Sequence, residues 1–233
     1  MQMKTWIAAG LLALFANASI AETPPGTWDG LVEVKSKKFD AAYLAPGADF
    51  RPYTKIMVDP TQVAFRKDWM KDVNNDRSVS RQVTDEDAQE ILAAARSNFD
   101  DIFIEAYTKA GYTVVTTPGA DVLRVATGVV NLYLNAPDTM SSGRTRTYSA
   151  NTGEATLVIE IRDSLTGALL GRVLDRRETL DNVSLQMSNS VTNTADFRNL
   201  FKSWSSITVK GLASLKEISP LPDPLTPGQK LGN

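Results

Sequence analysis

The chain has 233 residues, enough for one large domain or two small ones, and 42% of them are hydrophobic, enough to build a core. Lys and Arg number 25 against 27 Asp and Glu, a near balance that speaks against an electrostatic nucleic-acid binder. Cys and His are both absent, which excludes disulfides, thiolate nucleophiles, Ser-His-Asp and Cys-His catalysis, and zinc held by His or Cys.

Residues 1–21 carry Lys4, a continuous apolar run at 7–15 and Ser19-Ile20-Ala21 ahead of Glu22, the pattern of a secretory signal peptide. The apolar run is shorter than the roughly 20 residues a bilayer span needs. No second run approaches that length, so no transmembrane segment is expected in the mature chain. The expectation is an exported protein, periplasmic in a Gram-negative bacterium. With no Cys there is no residue to carry an N-terminal diacylglyceryl anchor.

Residues 22–49 read as an extended N-terminal segment, marked by Pro24-Pro25-Gly26 and Ala45-Pro46-Gly47. Lys35, Lys37 and Lys38 form a basic run within it. A solvated surface segment is the first reading and an anionic-ligand site the alternative. Residues 50–218 are expected to form a single domain. Its first strand falls in 55–65, interrupted by Asp59-Pro60. Proline has no N–H for a ladder, so the strand must lie at an edge, bend or end there.

The periodicity predicts a helix over 84–111. Thr84 is a good N-cap, and Asp85, Glu86 and Asp87 complement the first turn, a more economical reading than a metal site. Ala88, Ile91, Leu92, Ala95, Phe99, Ile102 and Phe103 make its apolar stripe, and Gly111 stops it. A short strand at 112–116 and a longer one at 121–134 follow; Gly128 inside the second suggests a bulge or a close backbone approach. Residues 136–152 form a polar loop with Arg144 and Arg146, and its part 138–151 is a candidate contact surface.

Residues 155–178 read as a β-hairpin around Asp163-Ser-Leu-Thr-Gly167. Asp163 can accept from nearby backbone N–H groups and Gly167 can take positive φ. Leu157, Ile159 and Ile161 should face the helices, with Val158, Glu160 and Arg162 on the other face. Leu169-Leu170 and Val173-Leu174 leave the register of the second strand open. The charges at Glu160, Arg162, Arg172, Asp175, Arg176 and Arg177 read as cross-strand ion pairs, with a catalytic constellation as the alternative. A second polar loop spans 180–193. Thr194 is expected to cap a final helix at 195–218, with Trp204 as a core or interface anchor and Gly211 allowing another backbone close approach. The Pro-rich tail, 219–233, is expected to be disordered or extended. The sum is an α+β fold, a two-layer arrangement of a mostly antiparallel sheet with two main helices packed on one face.

Residues 50–60 (Phe50-Arg-Pro-Tyr53-Thr-Lys-Ile56-Met-Val58-Asp59-Pro60), Leu123-Arg-Val125, Glu160-Ile-Arg-Asp163-Ser-Leu-Thr166-Gly167 and Leu174-Asp175-Arg176-Arg177 resemble the bacterial family catalogued as domain of unknown function 3313. The resemblance covers roughly residues 26–215. Members of that family are generally described as lipoproteins of the envelope, and this chain departs from them in lacking Cys. The resemblance implies no reaction, no cofactor and no catalytic residues.

No GxGxxG, P-loop, GxSxG or Ser-x-x-Lys occurs in the sequence. No catalytic, cofactor-binding or metal residue is therefore assigned. The leading expectation is a non-catalytic envelope domain that binds a protein partner or assembles with itself. A carrier of a small apolar or lipid ligand, held between sheet and helices, is the alternative. A hydrolase using Glu160 with Asp163 or Asp175 as a carboxylate pair is the third.

Overall fold

Three long strands carry the architecture. They are β7 (Val122–Leu134), β9 (Asn151–Asp163) and β10 (Leu169–Leu180). The computed structural model describes residues 26–75, 77–79, 82–134, 148–149, 151–180, 186–187 and 190–231. The candidate contact loop at 138–151 and the polar loop at 180–193 lie largely outside these residues. What is described of them is a short antiparallel pair, β8 (Tyr148–Ser149) with β11 (Gln186–Met187).

On one side of the three long strands lie β3 (Ala41–Leu44), β2 (Leu31–Lys35) and β1 (Thr27–Trp28), all antiparallel. On the other side β4 (Lys55–Val58) and β5 (Gln62–Phe65) both run parallel to β7, and β6 (Thr113–Val114) runs parallel to β4. Asp59-Pro60 separates β4 from β5, as a residue without an N–H requires. The N-terminal segment, expected to be unpatterned, thus contributes three strands. The alternation Leu31-Val32-Glu33-Val34-Lys35 that builds β2 is only five residues long, too short to stand out between turn signals.

Helix α1 (Trp69–Asn74) is short, and its Trp69 ring stacks on Phe65 at 3.7 Å between centroids. Helix α2 (Asp85–Lys109) begins with a capping box: Thr84 Oγ1 accepts from Asp87 N–H, and Asp87 accepts from Thr84 N–H. Helix α3 (Ser190–Ile218) starts one turn earlier than expected, so Thr194 lies inside it. Both long helices pack on one face of the sheet. Phe99 and Phe103 of α2 and Phe201 and Trp204 of α3 share one core with Leu157, Ile159 and Val129. The architecture is α+β, a mostly antiparallel ten-stranded sheet with two main helices on one face. Among the described residues no helix is long and apolar enough to cross a membrane.

Two local expectations change. Gly128 pairs regularly with Val158, and the irregularity in β7 falls after it, between Val130 and Tyr133, where Asn131 takes φ 52°. Asn tolerates that left-handed conformation better than most side chains. The Pro-rich tail does not trail away. Leu221 and Leu225 are buried, Leu221 N–H donates to Ala48 O at 2.9 Å, and β12 (Gln229–Lys230) pairs in parallel with β2.

The hairpin turn is held by Asp163. Its Oδ1 accepts from Thr166 N–H at 2.7 Å and from Leu165 N–H at 3.1 Å, while Tyr53 Oη donates to Oδ2 at 2.9 Å. The backbone hydrogen bond from Thr166, with further help from the Thr166 and Tyr53 hydroxyls, holds the carboxyl below its ordinary pKa. A depressed folded-state pKa means that this stabilisation is complete above the unfolded value, about 3.9, and fades as pH falls through the lower folded one. Asp163→Ala is expected to lower stability by about 1–2 kcal/mol at pH 7, the range for losing a side-chain acceptor of backbone N–H groups. Its deficit relative to the wild type should shrink below about pH 4. Urea unfolding at pH 7 and pH 3 checks both.

Candidate functional site

The charged residues of the hairpin divide between the two faces of the sheet. In β9 and β10, Arg172 stands opposite Glu160 and Asp175 opposite Leu157. Successive side chains alternate, so Glu160 and Arg172 share the face away from the helices, and Asp175 and Arg177 share the helix face. Glu160 accepts from Arg172 Nε at 3.0 Å and pairs with Arg162 at 2.9 Å. Arg172 also reaches Asp29 at 2.9 Å, and its guanidinium lies 3.9 Å from the Trp28 ring centroid. On the helix face Asp175 Oδ2 accepts from Trp204 Nε1 and from Arg177 Nε, each at 2.7 Å, and Arg177 donates to Ser203 Oγ at 3.0 Å.

These positions remove the proposed carboxylate pair. Glu160 and Asp175 are on opposite faces, Glu160 closed by Arg162 and Arg172 and Asp175 by Arg177 and the Trp204 indole, and Asp163 is engaged in its turn. None of them can flank a shared glycosidic bond, which needs two carboxylates facing one cleft. Trp204 is a core anchor, as its sequence position suggested. Asp85, Glu86 and Asp87 open α2, with Asp87 committed to the capping box.

Among the described residues a cleft with an apolar lining lies between the sheet and the C-terminal half of α3. It is a cleft of about 940 Å³, within the range of small-ligand sites. Val34, Leu44 and Val173 give it an apolar floor, and Ile207 and Leu215 an apolar wall. Lys37 and Lys38, in the loop after β2, and Glu217 of α3 are charged residues of its lining; Lys35 and Lys230 also border it, but Lys35 follows Val34 in β2 and stands opposite Lys230, so these two side chains belong to the other face of the sheet. Each wall is fixed. Ser36 Oγ accepts from Lys38 and Phe39 N–H, at 3.1 and 3.0 Å, and so shapes the loop after β2. Gly228 N–H donates to Glu33 O at 3.0 Å, and the β12–β2 pairing holds the tail across one end. At Gly211 an added Cβ would lie 3.9 Å from the Phe39 ring, so the absent side chain leaves the wall of α3 open.

The lysine run at 35–38 was legible as a possible anion site. The rest of the cleft was not. Gly211 reads as a point of close backbone approach, whereas what lies nearest to it is the Phe39 ring, and Lys230 belongs to a tail expected to be disordered or extended. Leu221 and Leu225, two apolar residues four apart among prolines, were the available sign that the tail docks.

A family model described as "Protein of unknown function (DUF3313)" matches residues 24–207. A search of curated proteins gave no match. Among solved structures, protein XCC0632 from Xanthomonas campestris, of family model DUF330, aligns at TM-score 0.40 and 10% identity, covering 79% of this chain and 91% of that one. The PelC dodecamer from Paraburkholderia phytofirmans aligns at TM-score 0.34 and 10% identity, covering 71% and 96%.

The buried pair gives a stability prediction. Glu160→Ala leaves the Arg172 guanidinium buried without its main partner and should cost about 3–5 kcal/mol. Glu160→Leu combined with Arg172→Met should recover most of that loss, because an apolar pair of similar volume avoids the desolvation penalty. Guanidinium unfolding of both variants measures it.

Proposed function

Because the chain belongs to the DUF3313 family, whose description names no activity, we propose its function from its own geometry: a non-catalytic, exported periplasmic domain that carries a small ligand with an apolar body. The observation that carries the reading is the 940 Å³ cleft, apolar along its floor and wall and framed by sheet, helix and tail. Ligand sites of this size are mostly apolar with a few placed polar groups, and this cleft has both parts. Export rests on the first 21 residues. The carrier reading is placed ahead of a protein partner or self-association on the strength of the cleft.

Native mass spectrometry of residues 22–233, purified from the periplasm, tests the reading together with titration of the neutral fluorophore N-phenyl-1-naphthylamine. A retained small-molecule adduct, or saturable binding of one fluorophore per chain, is expected. Gly211→Trp should abolish either by filling the cleft, while Gly211→Ala should retain binding and stabilise helix α3 by about 0.5–1 kcal/mol. Absence of any adduct together with unsaturable fluorophore binding would overturn the carrier reading.

A further inference from the structure

This inference rests on the carrier reading and concerns how a ligand enters. Three walls of the cleft belong to the body of the fold: strands β2, β3 and β10 below, helix α3 at the side, and the loop pinned by Ser36. The fourth is the tail, which divides at Leu225. Up to that point it is anchored. Ser219 Oγ donates to Leu215 O at 2.6 Å and accepts from Phe50 N–H at 3.1 Å. Leu221 N–H donates to Ala48 O at 2.9 Å, Gly47 N–H donates to Pro222 O at 3.1 Å, and Leu221 and Leu225 are buried. Beyond it, residues 226–231 are all exposed or half-buried. Gln229 Oε1 accepts from Thr226 N–H at 3.0 Å and Gln229 N–H donates to Thr226 O at 3.0 Å, a compact turn in which Gly228 takes φ 75°. From this turn the chain reaches β2 by a two-residue parallel pairing and the bond from Gly228 N–H to Glu33 O.

Two features make this distal part the piece of the enclosure most readily released. Segments with few buried apolar contacts and exposed backbone hydrogen bonds open at the lowest local free energy, and within 226–231 Leu231 is the one apolar side chain packed against the core. Lys230 also stands opposite Lys35 in the β2–β12 register, an arrangement that is destabilising for like charges. Gln229 is the residue opposite Val34, so Leu231, two positions on, returns to the cleft side of the sheet and lines the cleft, while Lys230 points away from it. We propose that residues 226–231 are the gate of the cleft. Strand β12 parts from β2, swings about the turn at 226–228 to admit the apolar body of a ligand, and pairs again with Leu231 over it. The sheet, helix α3 and the anchored part of the tail stay in place throughout.

Stopped-flow exchange of N-phenyl-1-naphthylamine on residues 22–233 tests the gate. The chain has no Cys of its own, so Lys35→Cys combined with Lys230→Cys gives a single disulfide, placed on the sheet face away from the cleft. Adjacent strands lie about 4.8 Å apart, within the Cα separation a disulfide spans. The oxidised form is expected to bind and release the fluorophore at least about tenfold more slowly than the reduced form, with equilibrium affinity within about threefold, as for a lid that limits both rates. Exclusion of the fluorophore that reduction reverses is the same result at its limit. Lys230→Glu, which puts attraction in place of repulsion and needs no cross-link, should slow both rates about twofold to threefold. Truncation after Leu225 should quicken both, and thermal melts establish that each variant folds. Equal rates in the oxidised and reduced forms, or unchanged rates in the truncated chain, with saturable binding retained, would overturn the gate and leave the carrier reading in place. Absence of saturable binding in the wild-type chain would remove the carrier reading and this inference with it.

Discussion

The β9–β10 ladder carries charge on both faces, and the rest of the molecule depends on its register. Glu160 and Arg172 meet across it on one face, while Asp175 meets Arg177 and Trp204 on the other. Side chains in a strand alternate, so a slip of one residue would carry each buried charge to the wrong face. Arg172, with 2% of its side chain exposed, would then lose Glu160, and Trp204 would lose its acceptor. Leaving a buried charge unpaired costs several kcal/mol, a large part of a domain's net stability. Apolar alternation along β10 does not enforce this register, because Leu169-Leu170 and Val173-Leu174 would satisfy either face. The polar partners do.

From that ladder the other elements take their places. β10 holds β3, which holds β2, and β9 holds β7, which holds β4 and β5. The hydrogen bond from Trp204 Nε1 to Asp175 fixes helix α3 to β10 at one point of its length. Beyond that point α3 runs over β2 and β3, and Gly211 leaves its side open toward Phe39. The tail completes the enclosure. Its prolines restrict the unfolded chain and so lower the entropy lost on docking, and Leu221 and Leu225 supply the buried apolar contact.

The hairpin charges differ from those that border the cleft. The hairpin charges are closed within the chain: Glu160, Arg162, Arg172, Asp175, Arg176 and Arg177 each have an oppositely charged partner, and Asp163 accepts from backbone N–H groups and hydroxyls. They serve the fold. The lysines that border the cleft are exposed.

The residues themselves determined the α+β class, the 25-residue helix with its Thr84 cap, the interruption at Asp59-Pro60, the turn at Asp163 and Gly167, and which side of β9 faces the helices. Each of these follows from local rules: a period of 3.6 or 2, a side chain accepting a neighbouring N–H, a proline without a donor. The three N-terminal strands escaped because four or five residues of alternation make a weak signal, and strands so short gain their stability from neighbours far away in the chain. The left-handed position in β7 was hidden for a related reason. A glycine draws attention to itself, yet the residue that takes positive φ is Asn131, whose side chain permits that conformation without announcing it. The register of β10, the docking of the tail and the cleft were decided only by tertiary structure. A register is set by partners across the sheet, and a cleft exists only where helix, strands and tail, far apart in the sequence, are brought to one place.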